Sequence, residues 1–333
     1  MKQALWWKSI NHQIQCELCP HRCKLAESQF GLCNVRQNRG GQLFTSAYGS
    51  PVAVHMDPIE KKPLYHFYPG SDILSIGTIG CNLFCEFCQN WDIARAKPGE
   101  IRSQTVSPGK IVTAAVNNNA MGIAFTYNEP TIFGEYVIDI ARLAHESALK
   151  TVMVTNGYIT PQAIADIYPH IDAANIDLKS FSADFYRRYC KGDLQAVLEA
   201  IIAIKNQGTF LELTTLIIPG VNDNETETLN MIHWILKNLG ADTPLHFSAF
   251  HPSYKMTYLD RTPKITLDRV RKIALDNGIH YVYEGNVMTV DESNTYCRSC
   301  GRLLIRREGY QVELMNLRGN ICVCGARNAI ILA

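Results

Sequence analysis

The 333-residue chain has 47% hydrophobic residues, 19% charged residues and a formal net charge of +1. That balance suits a globular chain with a sizeable core and argues against a nucleic-acid-binding protein, which would be strongly basic. No stretch approaches the roughly 18 apolar residues of a membrane span, and the leading MKQALWWKSINHQ lacks an apolar signal core, so a cytoplasmic protein with no membrane partner is expected.

In chain order, the first feature is CELCPHRCKLAESQFGLC, which spaces Cys16, Cys19, Cys23 and Cys33 as C-x2-C-x3-C-x9-C. Four cysteines at this density suit either tetrahedral zinc or an auxiliary iron–sulfur cluster, with His21 as a further possible ligand. The next is DPIEKKPLYHFYPG at 57–70, dense in polar function at Glu60, Lys61, Lys62, Tyr65 and His66. Lys61, Tyr65 and His66 are candidates for catalysis, and a solvated basic patch is the equal alternative.

From about 73 to 285, short β-rich runs alternate with longer amphipathic stretches, which predicts βαβ units and a parallel sheet. Strands are expected at 73–78, 123–127, 151–155, 174–178, 211–218 and 245–250, with a possible seventh at 280–283. Ser107-Pro108 reads as an N-cap followed by proline at the first helical position. Further helices are expected at 131–147, 194–208 and 226–239. Six units are too few for a closed eight-fold barrel, so a partial (β/α)6 barrel and an open doubly wound sheet both fit. Either puts the site at the carboxyl ends of the strands.

The first expected strand runs straight into GTIGCNLFCEFCQN, where Cys81, Cys85 and Cys88 form C-x3-C-x2-C. Three thiolates on a cubane leave one iron open, the mark of a catalytic rather than a structural site. A zinc site completed by a distant ligand, or buried cysteines with no metal, is the alternative. After 290, Cys297, Cys300, Cys322 and Cys324 form C-x2-C-x21-C-x-C, a zinc-knuckle pattern whose second pair is one residue short. Cys190 stands alone and reads as a buried apolar residue. Three parts result: a cysteine-rich segment at 1–70, an α/β core at 71–289 and a zinc-ribbon-like module at 290–333.

The central triplet, with Phe87 before its last cysteine, resembles the signature of the radical S-adenosylmethionine (SAM) enzymes. The resemblance implies a partial (β/α)6 barrel, a [4Fe-4S] cluster on Cys81, Cys85 and Cys88, and S-adenosylmethionine as the fourth ligand, cleaved to a 5′-deoxyadenosyl radical that abstracts hydrogen. Other stretches are similar to the family's strand-end motifs. In YNEP, Glu129 stands where G-G-E-P binds the methionine amino group, next to Asn128; a carboxylate capping a helix start is the plainer reading. VTNGY supplies Thr155 and Asn156, with Val154 replacing the family's aspartate, and NIDLKS supplies Asp177 and Lys179, otherwise an ordinary salt bridge. LIIPGVND resembles the adenine-contacting segment, and FHPSY places His251 where relatives have a cofactor-contacting histidine. The layout over nearly the whole chain resembles the radical SAM member of the AmmeMemoRadiSam system, a relative of the pyruvate formate-lyase activating enzyme. That implies Memo-type and AMMECR-type partners and an electron donor such as flavodoxin or ferredoxin. A glycyl-radical activating enzyme and a non-catalytic zinc scaffold, with zinc in all three cysteine groups, are the competing readings.

Overall fold

In the computed structural model, residues 1–11, 13–288 and 291–332 are described; the expected boundary at 289/290 lies outside them. The centre is one eight-stranded sheet: β1 (Ala53–Pro58), β2 (Asp72–Gly77), β3 (Gly122–Phe125), β4 (Lys150–Thr155), β5 (Ala173–Asp177), β6 (Phe210–Ile217), β7 (Leu245–Ala249) and β8 (Val282–Gly285). Each strand pairs with its neighbours in sequence, so the order never reverses. A doubly wound sheet needs a reversal at its switch point, and that alternative falls here. Strands β2 to β8 are parallel, and β1 pairs antiparallel with β2 at the edge. No pairing joins β8 to β1 among the described residues, so the sheet is open.

The seven expected strands are all present, shifted by two residues or fewer. The four residues of β3 are all buried, as in a parallel strand covered on both faces. The crossovers are carried by α1 (Pro108–Asn117), α2 (Gly134–Glu146), α3 (Pro161–Ile167), α4 (Leu194–Asn206), α5 (Glu225–Asn238) and α6 (Lys264–Asp276). Ser107 caps α1 by accepting from the Lys110 N–H, with Pro108 at the first helical position. Helix α2 follows a 3-10 turn, Pro130–Phe133, and buries Tyr136, Val137, Ile140, Ala141 and Ala144, a stripe at helical spacing.

The two flanking regions attach differently. Residues 2–45 form two small three-stranded antiparallel sheets whose Ala4, Trp6, Ile14, Val35 and Leu43 join the main hydrophobic core. Trp6 Nε1 donates to Asp166 of α3 at 2.7 Å, and Arg36 bridges Glu135 of α2 at 2.6 Å with both side chains buried. Residues 295–330 instead have a small core of their own: Cys297, Leu304, Ile305, Cys322 and Ile330. Its hairpin is β9 (Leu303–Glu308) and β10 (Gln311–Leu314).

Segment 59–67 closes the amino ends of the strands. Ile59, Leu64 and Phe67 pack against Ile73, Ala124, Val152 and Ala173, facing residues of β2 to β5.

Candidate active site

The cysteine loop leaves β2 through Gly80, whose φ of +90° is left-handed and where a Cβ would come within 2.4 Å of the Cys33 carbonyl oxygen. Glycine is therefore required at that position. The loop is held from several sides. Arg95 donates to the carbonyls of Cys81 (2.9 Å) and Leu83 (2.8 Å), and the Phe84 N–H donates to the Cys190 carbonyl at 2.8 Å. Ser253 Oγ donates to the Cys88 carbonyl at 3.1 Å.

Cys81, Cys85 and Cys88 line one cleft of about 540 Å3. Its other walls come from the carboxyl ends of successive strands: Thr126 to Glu129 after β3, Val154 to Asn156 at β4, Asp177 and Lys179 at β5, Thr214 and Leu216 on β6, Ser248 on β7 and Asn286 after β8. One cavity thus touches every parallel strand, which is what the rule of the carboxyl rim requires.

Burial pushes the Cys81 thiol up, and pushes Cys88 up to about 11. Cys85 is raised well above its ordinary value, first by a hydrogen bond with Cys190 and then by burial. Buried thiols stay neutral unless a metal claims them as thiolates. All three are free, and no carboxylate or histidine completes a tight site with them among the described residues. Three soft donors at one end of a polar cleft fit a cluster with an open position.

The carboxylate of Glu129 accepts from Thr131 N–H (2.9 Å), Thr155 Oγ1 (2.7 Å) and Asn156 N–H (2.8 Å). It caps the 3-10 turn, as the plainer reading expected, and it also lines the cleft. Burial raises its pKa, opposed by these donors. Lys179 bridges Asp177 at 2.9 Å, and that partner with Cys85 outweighs burial and raises its pKa well above the ordinary lysine range. The Lys179 ammonium also lies 6.0 Å from the Phe87 ring centre. Asn156 Nδ2 donates to Asn82 Oδ1 (2.9 Å) and reaches Cys81 Sγ (3.8 Å). Asn128 lines the cleft, but its amide is spent on the turn: Oδ1 accepts from Thr78 N–H, and Nδ2 donates to Thr78 Oγ1 and the Gly80 carbonyl. His251 sits at the rim with Nε2 3.1 Å from the Asn286 carbonyl and is not among the lining residues.

The three candidates of segment 57–70 part company. Lys61 reaches the cleft, paired with Asp57 at 2.8 Å. Tyr65 lines a second cavity of about 590 Å3 that shares Lys61, Thr214, Ser248 and Asn286 with the cleft. His66 reaches neither: it is buried, with Nδ1 at the Ala329 carbonyl (2.6 Å) and Nε2 at the Tyr283 hydroxyl (2.5 Å). Its polarity serves packing, because both ring nitrogens are taken by protein partners.

Further polar groups in and beside the cleft have no role assigned from the sequence. Asp57 accepts from Lys61, Lys62 and Tyr127 Oη, which outweigh burial and hold its carboxyl well below the usual range. Lys62 is 2% exposed in this group. Thr214 and Ser248 had a signal, since each is the second polar residue of an alternating pair (Glu212/Thr214, His246/Ser248) in a largely apolar strand. The Cys190 contact had none, because the partner lies far away in sequence.

In the C-terminal module the four sulfurs of Cys297, Cys300, Cys322 and Cys324 lie within 4.8 Å of one another, with Cys297–Cys324 at 3.7 Å and Cys300–Cys322 at 3.8 Å. Gly301 and Gly325, each in the left-handed region, follow the cysteine pairs and turn the knuckles.

The Radical SAM superfamily pattern matches residues 75–232, the stretch that begins at β2 and includes the cysteine loop. Uncharacterized protein MJ0808 of Methanocaldococcus jannaschii is 40% identical over 336 residues, covering 100% of both chains. The pyruvate formate-lyase-activating enzyme of Clostridium pasteurianum is 24% identical over 176 residues, 52% of this chain and 72% of that one. Among solved structures, a radical SAM methyltransferase from Sphaerobacter thermophilus aligns over 71% of each chain with a TM-score of 0.51 and 18% identity, a likeness of fold. The cysteine loop at the carboxyl rim, the superfamily match across it and a relative similar from end to end lead to one conclusion: this chain belongs to the radical SAM superfamily and is an enzyme related to the pyruvate formate-lyase activating enzyme.

Proposed function

We propose that Cys81, Cys85 and Cys88 hold a [4Fe-4S] cluster, that S-adenosylmethionine occupies the cleft, and that the chain abstracts a hydrogen atom from a substrate reached through the adjoining cavity. The observation that carries this is the single cleft joining the three thiols to Glu129, Asn156, Asp177 and Lys179. When bound, the cluster would supply the electron that cleaves S-adenosylmethionine to a 5′-deoxyadenosyl radical. The chain's own residues bind and orient. Glu129, fixed by three donors, presents its remaining lone pairs to an ammonium. Lys179 offers a carboxylate a counter-charge, and Asp177 beside it accepts from hydroxyls. The sheet, curled around this cleft, is the partial (β/α)6 barrel.

Cys297, Cys300, Cys322 and Cys324 are proposed to bind zinc, since their spacing is that of sulfurs around one tetrahedral ion. The scaffold reading predicts zinc in all three cysteine groups and no cleavage of S-adenosylmethionine; of those groups, these four sulfurs are the ones that gather within 4.8 Å. A second reading, activation of a glycyl-radical partner, is supported by relatives named as activating enzymes for pyruvate formate-lyase and 4-hydroxyphenylacetate decarboxylase. Memo-type and AMMECR-type partners are proposed on the motif layout alone, and a flavodoxin- or ferredoxin-type donor on the need for one electron.

The test is anaerobic reconstitution, reduction in the presence of S-adenosylmethionine and detection of 5′-deoxyadenosine, with Cys85→Ala alongside. Product from the parent and none from the variant supports the reading. No product from an iron-loaded parent overturns it.

A further inference from the structure

We propose that Cys16, Cys19, Cys23 and Cys33 hold a second iron–sulfur cluster rather than a zinc ion.

The four thiols face one locus. Gly31 lies between two of them, its Cβ position 3.8 Å from both Cys23 Sγ and Cys33 Sγ, and the Cys16 N–H donates to the Cys23 carbonyl at 2.9 Å. Every pairing among the four is close enough to interact electrostatically. Yet no three of their sulfurs fall within 4.8 Å of one another, although all four residues are described.

That spacing separates two kinds of metal group. A single zinc, with Zn–S near 2.3 Å in a tetrahedron, draws its sulfurs to about 3.8 Å apart. The C-terminal four show that separation, at 3.7 and 3.8 Å. A cubane binds each thiolate to a different iron, so its sulfurs stand farther apart. Cys81, Cys85 and Cys88 also fail to gather within 4.8 Å. The N-terminal four therefore share the spacing of the core triplet, not that of the knuckle.

The surroundings agree. Cys16, Cys19 and Cys33 are buried, whereas Cys300 and Cys324 are exposed, and low exposure is one of the levers that set a cluster's potential. Arg36 is buried beside this group, and its Nε–H has no acceptor among the described residues. A sulfide or thiolate sulfur is the acceptor this site would provide. The site also backs onto the core loop: the Cys33 carbonyl abuts Gly80, next to Cys81, and His21 Nε2 lies 2.7 Å from the Asn82 carbonyl. His21 is thereby committed elsewhere, and the four cysteines suffice as ligands.

The deciding experiment uses the full chain with Cys81, Cys85 and Cys88 all replaced by alanine. It is reconstituted anaerobically with iron and sulfide, and iron, sulfide and zinc are counted per chain. The proposal expects about four iron and four sulfide to remain, with a reduced-cluster electron paramagnetic resonance signal and one zinc per chain. Adding Cys19→Ser and Cys23→Ser should remove the iron and leave the zinc; circular dichroism checks that this variant is folded. Two zinc and no iron in the core-less variant would overturn the proposal. So would iron that stays after the N-terminal substitutions in a folded chain. Because the core thiols are absent, the result does not depend on whether the core site cleaves S-adenosylmethionine.

Discussion

The two ends of the sheet's interior are equally polar and chemically opposite. At the amino end, Glu212 accepts from the N–H groups of Tyr65 (3.0 Å) and His66 (2.7 Å) and pairs with His246 Nε2 (2.6 Å). His66 meets Tyr283, whose hydroxyl meets Thr295, and Arg307 of β9 donates to Thr295, Ser293 and Tyr65. At the carboxyl end, the cleft holds the three thiols and Thr214 Oγ1, a buried hydroxyl without a hydrogen bond among the described residues. Buried polar groups are tolerated when satisfied and costly when not. The amino end has spent most of its polarity on cohesion, with Arg307 Nε and Glu60 Oε2 left without a hydrogen bond among the described residues, and the carboxyl end gathers the thiols and charged groups of the cleft.

The comparison breaks or sharpens through four measurements. The largest effect is at the floor. Glu212→Ala strands His246 and two backbone N–H groups, and should cost about 3–5 kcal/mol in denaturant unfolding, as for a broken buried pair. A loss below about 1 kcal/mol would mean the floor is not what holds the sheet's amino end.

Second is acid sensitivity. Burial lowers the His66 pKa to about 4, below its ordinary value of 6.5. The folded state thus favours the neutral ring; its stability is fully present above about pH 6.5 and is lost as pH falls towards 4. The span corresponds to about 3 kcal/mol at most. Glu212, with its carboxyl lowered by His246 and its other donors against the opposing effect of burial, adds a loss of the same sign at lower pH. Thermal melts from pH 7.5 to 4 should show the decline, and His66→Gln should flatten its upper part.

Third, at the other end, Asp177→Asn and Glu129→Gln should weaken S-adenosylmethionine binding by calorimetry about ten- to a hundredfold, roughly 1.4–2.7 kcal/mol. The unliganded chain should lose less than Glu212→Ala does. Equal loss of fold at both ends would erase the distinction. Smallest is Thr214→Val, which removes an unsatisfied hydroxyl and should leave unfolding stability within about 1 kcal/mol, neutral or raised. A large destabilisation would show the hydroxyl already has a structural partner.

This contrast also explains what could be read ahead of the structure. Strands β2 to β8 were legible because buried parallel strands give compact apolar runs bounded by polar rims. Strand β1 was not, since its AVHMDP faces solvent at an edge and carries no apolar pattern. Helices α3 and α6 were passed over although Thr160-Pro161 and Pro263 announce them. The cysteine loop stood out by its spacing together with the strand that runs into it. His66 misled because its environment is assembled from Glu212, Tyr283 and Ala329, and nothing near it in sequence tells a satisfied histidine from a reactive one. Cys190 against Cys85 was invisible for the same reason.

The link between Arg307 and the floor has a consequence for how the chain is made. The Ile331 N–H donates to the His66 carbonyl at 2.7 Å, and the Ile331 carbonyl accepts from the Tyr68 N–H at 2.8 Å. Partners some 263 residues apart in sequence, such as His66 and Ala329, must wait for each other during synthesis. Every strand of the sheet is synthesised before Arg307 and Ala329, the C-terminal partners of the floor. The amino-end face of the nascent sheet therefore lacks part of its cover, and stays open to chaperones and misassociation, until those last contacts form.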